Sequence, residues 1–238
     1  MIAQQLVPVP QAVRPLLRRI GRLAEAQRVP AYAVGGCVRD WLAGIPTTVD
    51  LDVAVAGDGV AFARAMGKAL RGSVRAHEQF GTATLTLGRR MIDVASCRQE
   101  RYAKPAAYPK VSPGTLKQDL ARRDFTINAM AMELSQERFG RLVDPFHGRR
   151  DLHRTMLRIL HPNSFLDDPS RILRGIRFAQ RFDLRWESGT WEAVQDAIRQ
   201  GALGWLNAGR LHKELDRMVR EPNPRACLEA LVALWSGA

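Results

Sequence analysis

Asp50 and Asp52 stand two residues apart in the segment Val34–Val55, VGGCVRDWLAGIPTTVDLDVAV. Side chains two apart on a strand leave the same face, so both carboxylates point one way. The strand runs on into Val53, Ala54 and Val55, and like charges beside an apolar layer repel one another and lose hydration. A divalent cation resolves that conflict. Upstream, Gly35 and Gly36 carry no Cβ to block a ligand from the backbone, and they open a helix whose free N–H groups favour an anion. Carboxylates for metal beside glycines for phosphate suggest transfer of a nucleotidyl group from a triphosphate, with paired Mg²⁺ ions roughly 3.5 to 4 Å apart spanning the attacking and leaving oxygens.

Those residues need a strand ending at the two glycines, a short helix over 37–43, a turn at Gly44 and Pro46, and a second strand opening on Asp50. The spacing of Leu16, Leu17, Ile20 and Leu23 predicts a helix over 13–28 ahead of them. Asp58 reads as the cap of a helix over 59–70. Three short strands follow, over 73–78, 82–87 and 91–95, giving an α/β domain with a mixed sheet of about five strands flanked by helices. Asp93 lies on the last of these strands, where it could serve as a third metal-site carboxylate, as base for an attacking hydroxyl, or as a surface residue. From Ser96 to Leu120 no period is visible, and the stretch reads as a long loop. Helices are expected over 188–199, 207–220 and 224–235, with breaks at Gly201, Gly204 and Pro222.

The 238 residues are 46% hydrophobic, enough for one sizeable core or two small ones. No apolar run reaches the length of a membrane span. The N-terminus lacks the pattern of a secretory signal. Cys37, Cys97 and Cys227 are odd in number and widely spaced, which argues against a disulfide framework or zinc site and for a reducing cytoplasm. A net charge of +12, spread over the whole length, suits a polyanionic partner such as RNA.

GGxVRDxLxG followed by DxDxxV closely resembles the signature of the class II tRNA nucleotidyltransferase and bacterial poly(A) polymerase family, within the polymerase β-type nucleotidyltransferases. RRDFTINAMA, from Arg122 to Ala131, matches the second motif of that family almost letter for letter. The resemblance assigns Gly35, Gly36 and Arg39 to nucleotide binding, Asp50, Asp52 and Asp93 to catalysis, and Asp50 and Asp52 to Mg²⁺. It places Arg123 on the triphosphate and Asp124 and Asn128 near the ribose. Phe125, Ile127 and Met130 read as core. VDPFHGRRDL resembles a short connecting motif in which Asp144 and Gly148 make a turn. DDPSRILRGIRFAQRF resembles the nucleotide-selecting motif, so Asp168 and Arg171 would read C or A while Arg174 and Arg177 hold phosphates or shape the pocket. By itself the block reads as a helix capped by Asp168, with the arginines in a stripe three residues apart. RQERY resembles the opening of the family's flexible loop. NAGRLHKEL resembles its fifth motif, with Gly209 where the family has Glu.

The resemblance implies a nucleotidyltransferase head over 1–150 and a small all-helical neck over 151–238, without the helical body and tail that follow in the family. It implies CCA addition to a tRNA 3′ end from CTP and ATP. Alternatives are CC-only or A-only addition, poly(A) synthesis and, from another class, a non-catalytic RNA-binding module, against which the pair Asp50 and Asp52 speaks.

Overall fold

Residues 5–236 are described by a computed structural model. They fall into two units. The first comprises residues up to 99 with 111–123 and 127–149; the second comprises 100–110, 124–126 and 150 onward.

In the first unit, α1 (Arg14–Ala26) is followed by β1 (Ala31–Val34), α2 (Gly36–Leu42), β2 (Asp50–Val55) and α3 (Gly59–Leu70). Helix α1 has a proline in its first turn and buries Leu17, Ile20 and Ala24, the i, i+3, i+7 positions of one face. The Asp58 carboxylate accepts from the Ala61 N–H at 2.9 Å and caps α3 where expected. Then come β3 (Ser73–His77), β4 (Thr82–Leu87) and β5 (Arg90–Ser96). The expected loop is not irregular throughout: it contains a two-stranded ribbon, β6 (Arg98–Arg101) with β7 (Lys110–Pro113), and the start of α4 (Leu116–Ala121). Neither ribbon strand alternates apolar with polar residues, so no period announced them. A reciprocal pair between Thr115 and Gln118 caps α4.

Two further strands, β8 (Ala131–Glu133) and β9 (Leu142–Val143), extend the sheet to seven in the order β3-β4-β5-β2-β1-β8-β9. The five expected strands are its contiguous core. Strand β8 escaped notice because both Ala131 and Met132 are fully buried, and three residues without alternation look the same as part of a helix. One sheet face, carrying Leu51, Val53, Val55, Ile92 and Val94, packs with Leu17 and Ile20 of α1 and Phe62 and Met66 of α3 in one core. Alternation therefore sends Asp50, Asp52 and Asp93 to the other face.

The second unit contains most of α5 (Gly148–His153), then β10 (Met156–Leu157), α6 (Ser164–Asp167), α7 (Ser170–Phe182), β11 (Arg185–Trp186), α8 (Ser188–Arg199), α9 (Ala208–Val219) and α10 (Pro224–Ser236). It is helical apart from the parallel pair β10 and β11, an addition to the all-helical expectation that two-residue strands could not signal. Helix α7 starts one residue later than expected. Asp168 ends α6, yet its carboxylate still accepts from the Ser170 N–H at 3.1 Å. Phe125, Phe165, Phe178 and Trp186 form an aromatic cluster with ring centroids 6.0–6.4 Å apart. Gly175 makes room for it, since a Cβ there would lie 2.2 Å from Trp186 Cη2. Among the described residues no helix is long and apolar enough to cross a membrane. All three cysteines are free and buried.

Candidate active site

Parallel pairing of β2 with β5 sets Asp52 directly opposite Asp93, and Asp50 lies two residues away on the same face. Asp50 and Asp93 are exposed, while Asp52 is half-buried. The Thr84 hydroxyl donates to Asp93 Oδ1 at 2.6 Å from the neighbouring strand. Among the described residues, no donor bonds the Asp52 carboxylate, in contrast to Asp40, Asp119 and Asp124 in the same chain. Burial pushes Asp52 up to about 6; Arg123 works against that shift, and the charges of Asp93 and Asp50 add to it.

Gly35 adopts a left-handed φ of 70° at the start of α2, and its N–H donates to the Met130 carbonyl at 3.1 Å. A Cβ there would sit 2.5 Å from Arg123 Nη1 and 3.7 Å from Asp52 Oδ2, so only glycine lets backbone, guanidinium and carboxylate converge. Arg123 is held by the Asp119 carboxylate at 3.2 Å and the Asn128 carbonyl at 3.3 Å. Its Nε is buried without a hydrogen-bond partner among the described residues. A buried donor left over beside a space reserved by a glycine is suited to an anion. Gly36 imposes no such constraint; its added Cβ would meet Arg39 Nη2 at an ordinary 3.6 Å.

Arg39 is 5% exposed. Its Nε and Nη2 donate to Asp40 Oδ1 at 3.0 and 2.7 Å, and its Nη1 to Asn128 Oδ1 at 2.6 Å. Thr47 completes the arrangement by donating to Asp40 Oδ2 at 2.7 Å. Arg39 thus orients Asn128, and Asp40 ties the turn after α2 back to that helix.

The donor set fits a divalent cation. Carboxylate oxygens are hard ligands, and Mg²⁺ is commonly held by one or two of them with phosphate and water completing the octahedron. The upward shift of Asp52, caused first by burial and added to by Asp93 and Asp50, is one that a cation there would relieve. Among the described residues, no three His, Cys, Asp or Glu side chains form a ready-made metal cluster.

In the second unit, buried Asp124 pairs with Arg174 at 2.7 Å. Burial works against the Arg174 charge, but Asp124, with Glu214 and Asp168, more than offsets it and pushes the guanidinium further up. Arg171 is 4% exposed; its Nη1 donates to Ser164 Oγ at 2.7 Å and its Nε stands 4.0 Å from Asp168 Oδ2. Arg177 donates from Nη1 to Glu214 and from Nε to Glu221, each at 2.9 Å. The three arginines do recur along α7, but each is held by partners of its own rather than lying on a solvated stripe.

Sequence reasoning passed over several supporting residues. Asp119, 1% exposed, holds both Arg122 and Arg123; its helical spacing to them was a usable signal. Arg210, which bonds Asp168 from 42 residues away, had none. Gly209 leaves the fifth motif without its Glu, yet α9 still begins cleanly because Asn207 Oδ1 accepts from the Arg210 N–H at 2.9 Å. Asp144 makes the expected turn, accepting from the N–H groups of Gly148 and Arg149 at 2.7 and 3.0 Å.

The chain is similar to known proteins. The chain is 44% identical over 213 residues to an A-adding tRNA nucleotidyltransferase of Halalkalibacterium halodurans, covering 88% of this chain and 49% of that one. It is 38% identical over 205 residues to a CC-adding tRNA nucleotidyltransferase of Deinococcus radiodurans, covering 86% and 54%. A solved CCA-adding enzyme in its apo form superposes with a TM-score of 0.89 at 41% identity, over 95% of this chain and 54% of that one. The chain thus spans about half the length of these proteins. The poly A polymerase head domain matches residues 31–158. More than half of the sequence falls within that match, and the chain belongs to the poly A polymerase head-domain family.

Proposed function

We propose that the chain transfers a nucleotide from a nucleoside triphosphate to a tRNA 3′ end without a nucleic-acid template. The observation that carries this reading is the convergence of Asp52, the Gly35 backbone and Arg123 on the sheet face that also carries Asp50 and Asp93. Arg123, with its spare Nε, and the Gly35 turn hold the triphosphate. Asp50 and Asp52 hold Mg²⁺, which when bound supplies charge neutralisation at the transferring phosphoryl group and its leaving oxygens. The terminal 3′ oxygen of the RNA attacks the α-phosphorus, the bond from that phosphorus to the bridging oxygen breaks, and pyrophosphate leaves. Asp93, fixed by Thr84, takes the hydroxyl proton or completes the metal site. Asn128, oriented by Arg39, and Asp124, paired with Arg174, offer an amide and a carboxylate, groups that can engage a ribose 2′-OH.

Asp168 and Arg171 read the base. An ionised carboxylate accepts from the amino groups of adenine and cytosine and repels the keto oxygens of uracil and guanine. Arg177, committed to Glu214 and Glu221, shapes the pocket by fixing α7. Of the possible products, addition of the terminal A is supported by the 44% identity to an A-adding relative, and full CCA addition is the broader reading. The test supplies the protein with tRNAs lacking the last one, two or three nucleotides, each with a single labelled triphosphate. Labelling by ATP on the tRNA that lacks only its final A, with no labelling by CTP on the shorter ones, is the expected result. CTP incorporation restores CCA addition or, without ATP incorporation, indicates a CC-adding enzyme; no incorporation with any triphosphate would sink the reading.

A further inference from the structure

Asp168 has two oxygens in very different situations. Oδ1 accepts from the Ser170 N–H at 3.1 Å, from the Ser170 hydroxyl at 2.5 Å and from Arg210 Nη2. Oδ2 receives no hydrogen bond among the described residues and stands 4.0 Å from Arg171 Nε. Arg210 is itself anchored at a second point: its Nη1 donates to the Ala106 carbonyl at 3.0 Å, and its guanidinium lies 5.7 Å from the centre of the Tyr108 ring. Residues 100–110, the part of the expected loop that belongs to the second unit, are tied down beside it. The Ala106 N–H donates to the Leu166 carbonyl at 3.0 Å and the Asn207 amide to the Tyr108 hydroxyl at 3.3 Å. A planar fork with fixed donors suits this bridging role, and an ammonium cannot reproduce it.

We propose that Arg210 is the positioning residue of base selection: by saturating Asp168 Oδ1 and bracing against the strap 100–110, it leaves Oδ2 as a single oriented acceptor for the exocyclic amino group of adenine or cytosine. The proposal rests on the reading of Asp168 as a base reader. Without the latch only the Ser170 N–H and hydroxyl hold Oδ1, so the carboxylate is less firmly oriented and admits water between itself and a keto base. Discrimination then falls without an equal loss of affinity for every nucleotide.

The test is equilibrium binding of ATP, CTP, GTP and UTP to the 238-residue protein in Mg²⁺, with Arg210→Ala, Arg210→Lys and Asp168→Asn compared with the parent, and each variant's thermal midpoint recorded. Arg210→Lys keeps the charge and guards against loss of fold. Asp168→Asn is expected to abolish the preference for amino-bearing bases, and both Arg210 variants to reduce the ATP-to-GTP affinity ratio by about tenfold or more. Arg210→Lys combined with Asp168→Asn is expected to lose no more than Asp168→Asn alone. If Asp168→Asn removes the preference and the Arg210 variants keep it, the latch is overturned and the base reader stands. If Asp168→Asn keeps the preference, the base reader falls and the latch with it. Equal weakening for all four nucleotides, at an unchanged ratio, makes Arg210 a structural tie only and overturns the proposal.

Discussion

Two clusters, one on the sheet of the first unit and one around α7 in the second, treat charge in opposite ways. On the sheet of the first, Asp50, Asp52 and Asp93 are gathered on one face, and Asp52 is held up to about 6 with no donor on its carboxylate among the described residues. In the second, Asp124, Asp168, Glu214 and Glu221 each face an arginine: Arg174, Arg210, and Arg177 for the last two. Unbalanced charge is costly until a ligand of opposite sign arrives, which suits a site that binds a cation with its substrate. Balanced charge has no such appetite. What it provides is direction, because paired side chains hold their lone pairs and N–H groups in fixed orientations. On the proposed reading, chemistry falls to the first unit and recognition to the second.

Breaking the first half of that contrast has the largest expected effect. Asp50→Ala or Asp52→Ala should reduce nucleotide transfer on the order of 10³-fold or more at saturating Mg²⁺, with an unchanged circular dichroism spectrum. Turnover within tenfold of the parent would remove the metal assignment. On the other side, Arg177→Ala removes the arginine from Glu221 and leaves Glu214 with Arg217 alone, and should destabilise the protein by about 3 kcal/mol in chemical denaturation. A loss below about 1 kcal/mol would mean that the pairing is not what fixes α7.

The third prediction concerns the sign of the Asp52 effect. Its folded value near 6 lies above the ordinary carboxylate value, so folding favours the protonated form. That contribution is present below about pH 4 and is lost as pH rises through about 6. Asp52→Asn, which removes the titration, should in chelator-treated buffer stabilise the protein by about 1–2 kcal/mol at pH 8 and by nothing near pH 4. A destabilised variant at pH 8 would show that the carboxylate is already compensated. The smallest effect serves as the reference: Arg225 and Glu229 form an exposed pair, with side chains 86% and 63% accessible, and Arg225→Ala should change stability by no more than about 0.5 kcal/mol.

Elements whose signals were local could be read from sequence. Helix α3 follows from Asp58 and its apolar face, and α8 matches its expected bounds over 188–199. Strand β4 was equally clear, with buried Ala83 and Leu85 alternating with polar neighbours. Strand β8 and the β6–β7 ribbon were not, because one is buried on both sides and the other on neither. In the candidate site, Asp50, Asp52, Asp93 and Arg123 could be singled out as candidates from sequence, while the side chains that hold them in place could not. Asp52 meets Asp93 only through strand register, and the Arg210 contact with Asp168 depends on how α9 returns to α7. Motif spacing reports what the chain repeats nearby; it carries no record of contacts closed by the fold.

The division of the chain has a consequence for how the molecule can be made. Its path passes from one unit to the other after residues 99, 110, 123, 126 and 149, so neither unit is a contiguous stretch. Phe125, at the centre of the aromatic cluster of the second unit, is supplied by three residues enclosed in sequence by the first. A ribosome releasing the chain from its N-terminus delivers Phe125 well before Phe165, Phe178 and Trp186 exist to receive it. Stretches this interleaved raise the mean sequence separation of contacts, and folding slows accordingly. Cutting the chain after residue 149 would not yield a free-standing half; it would leave Phe125 without its neighbours.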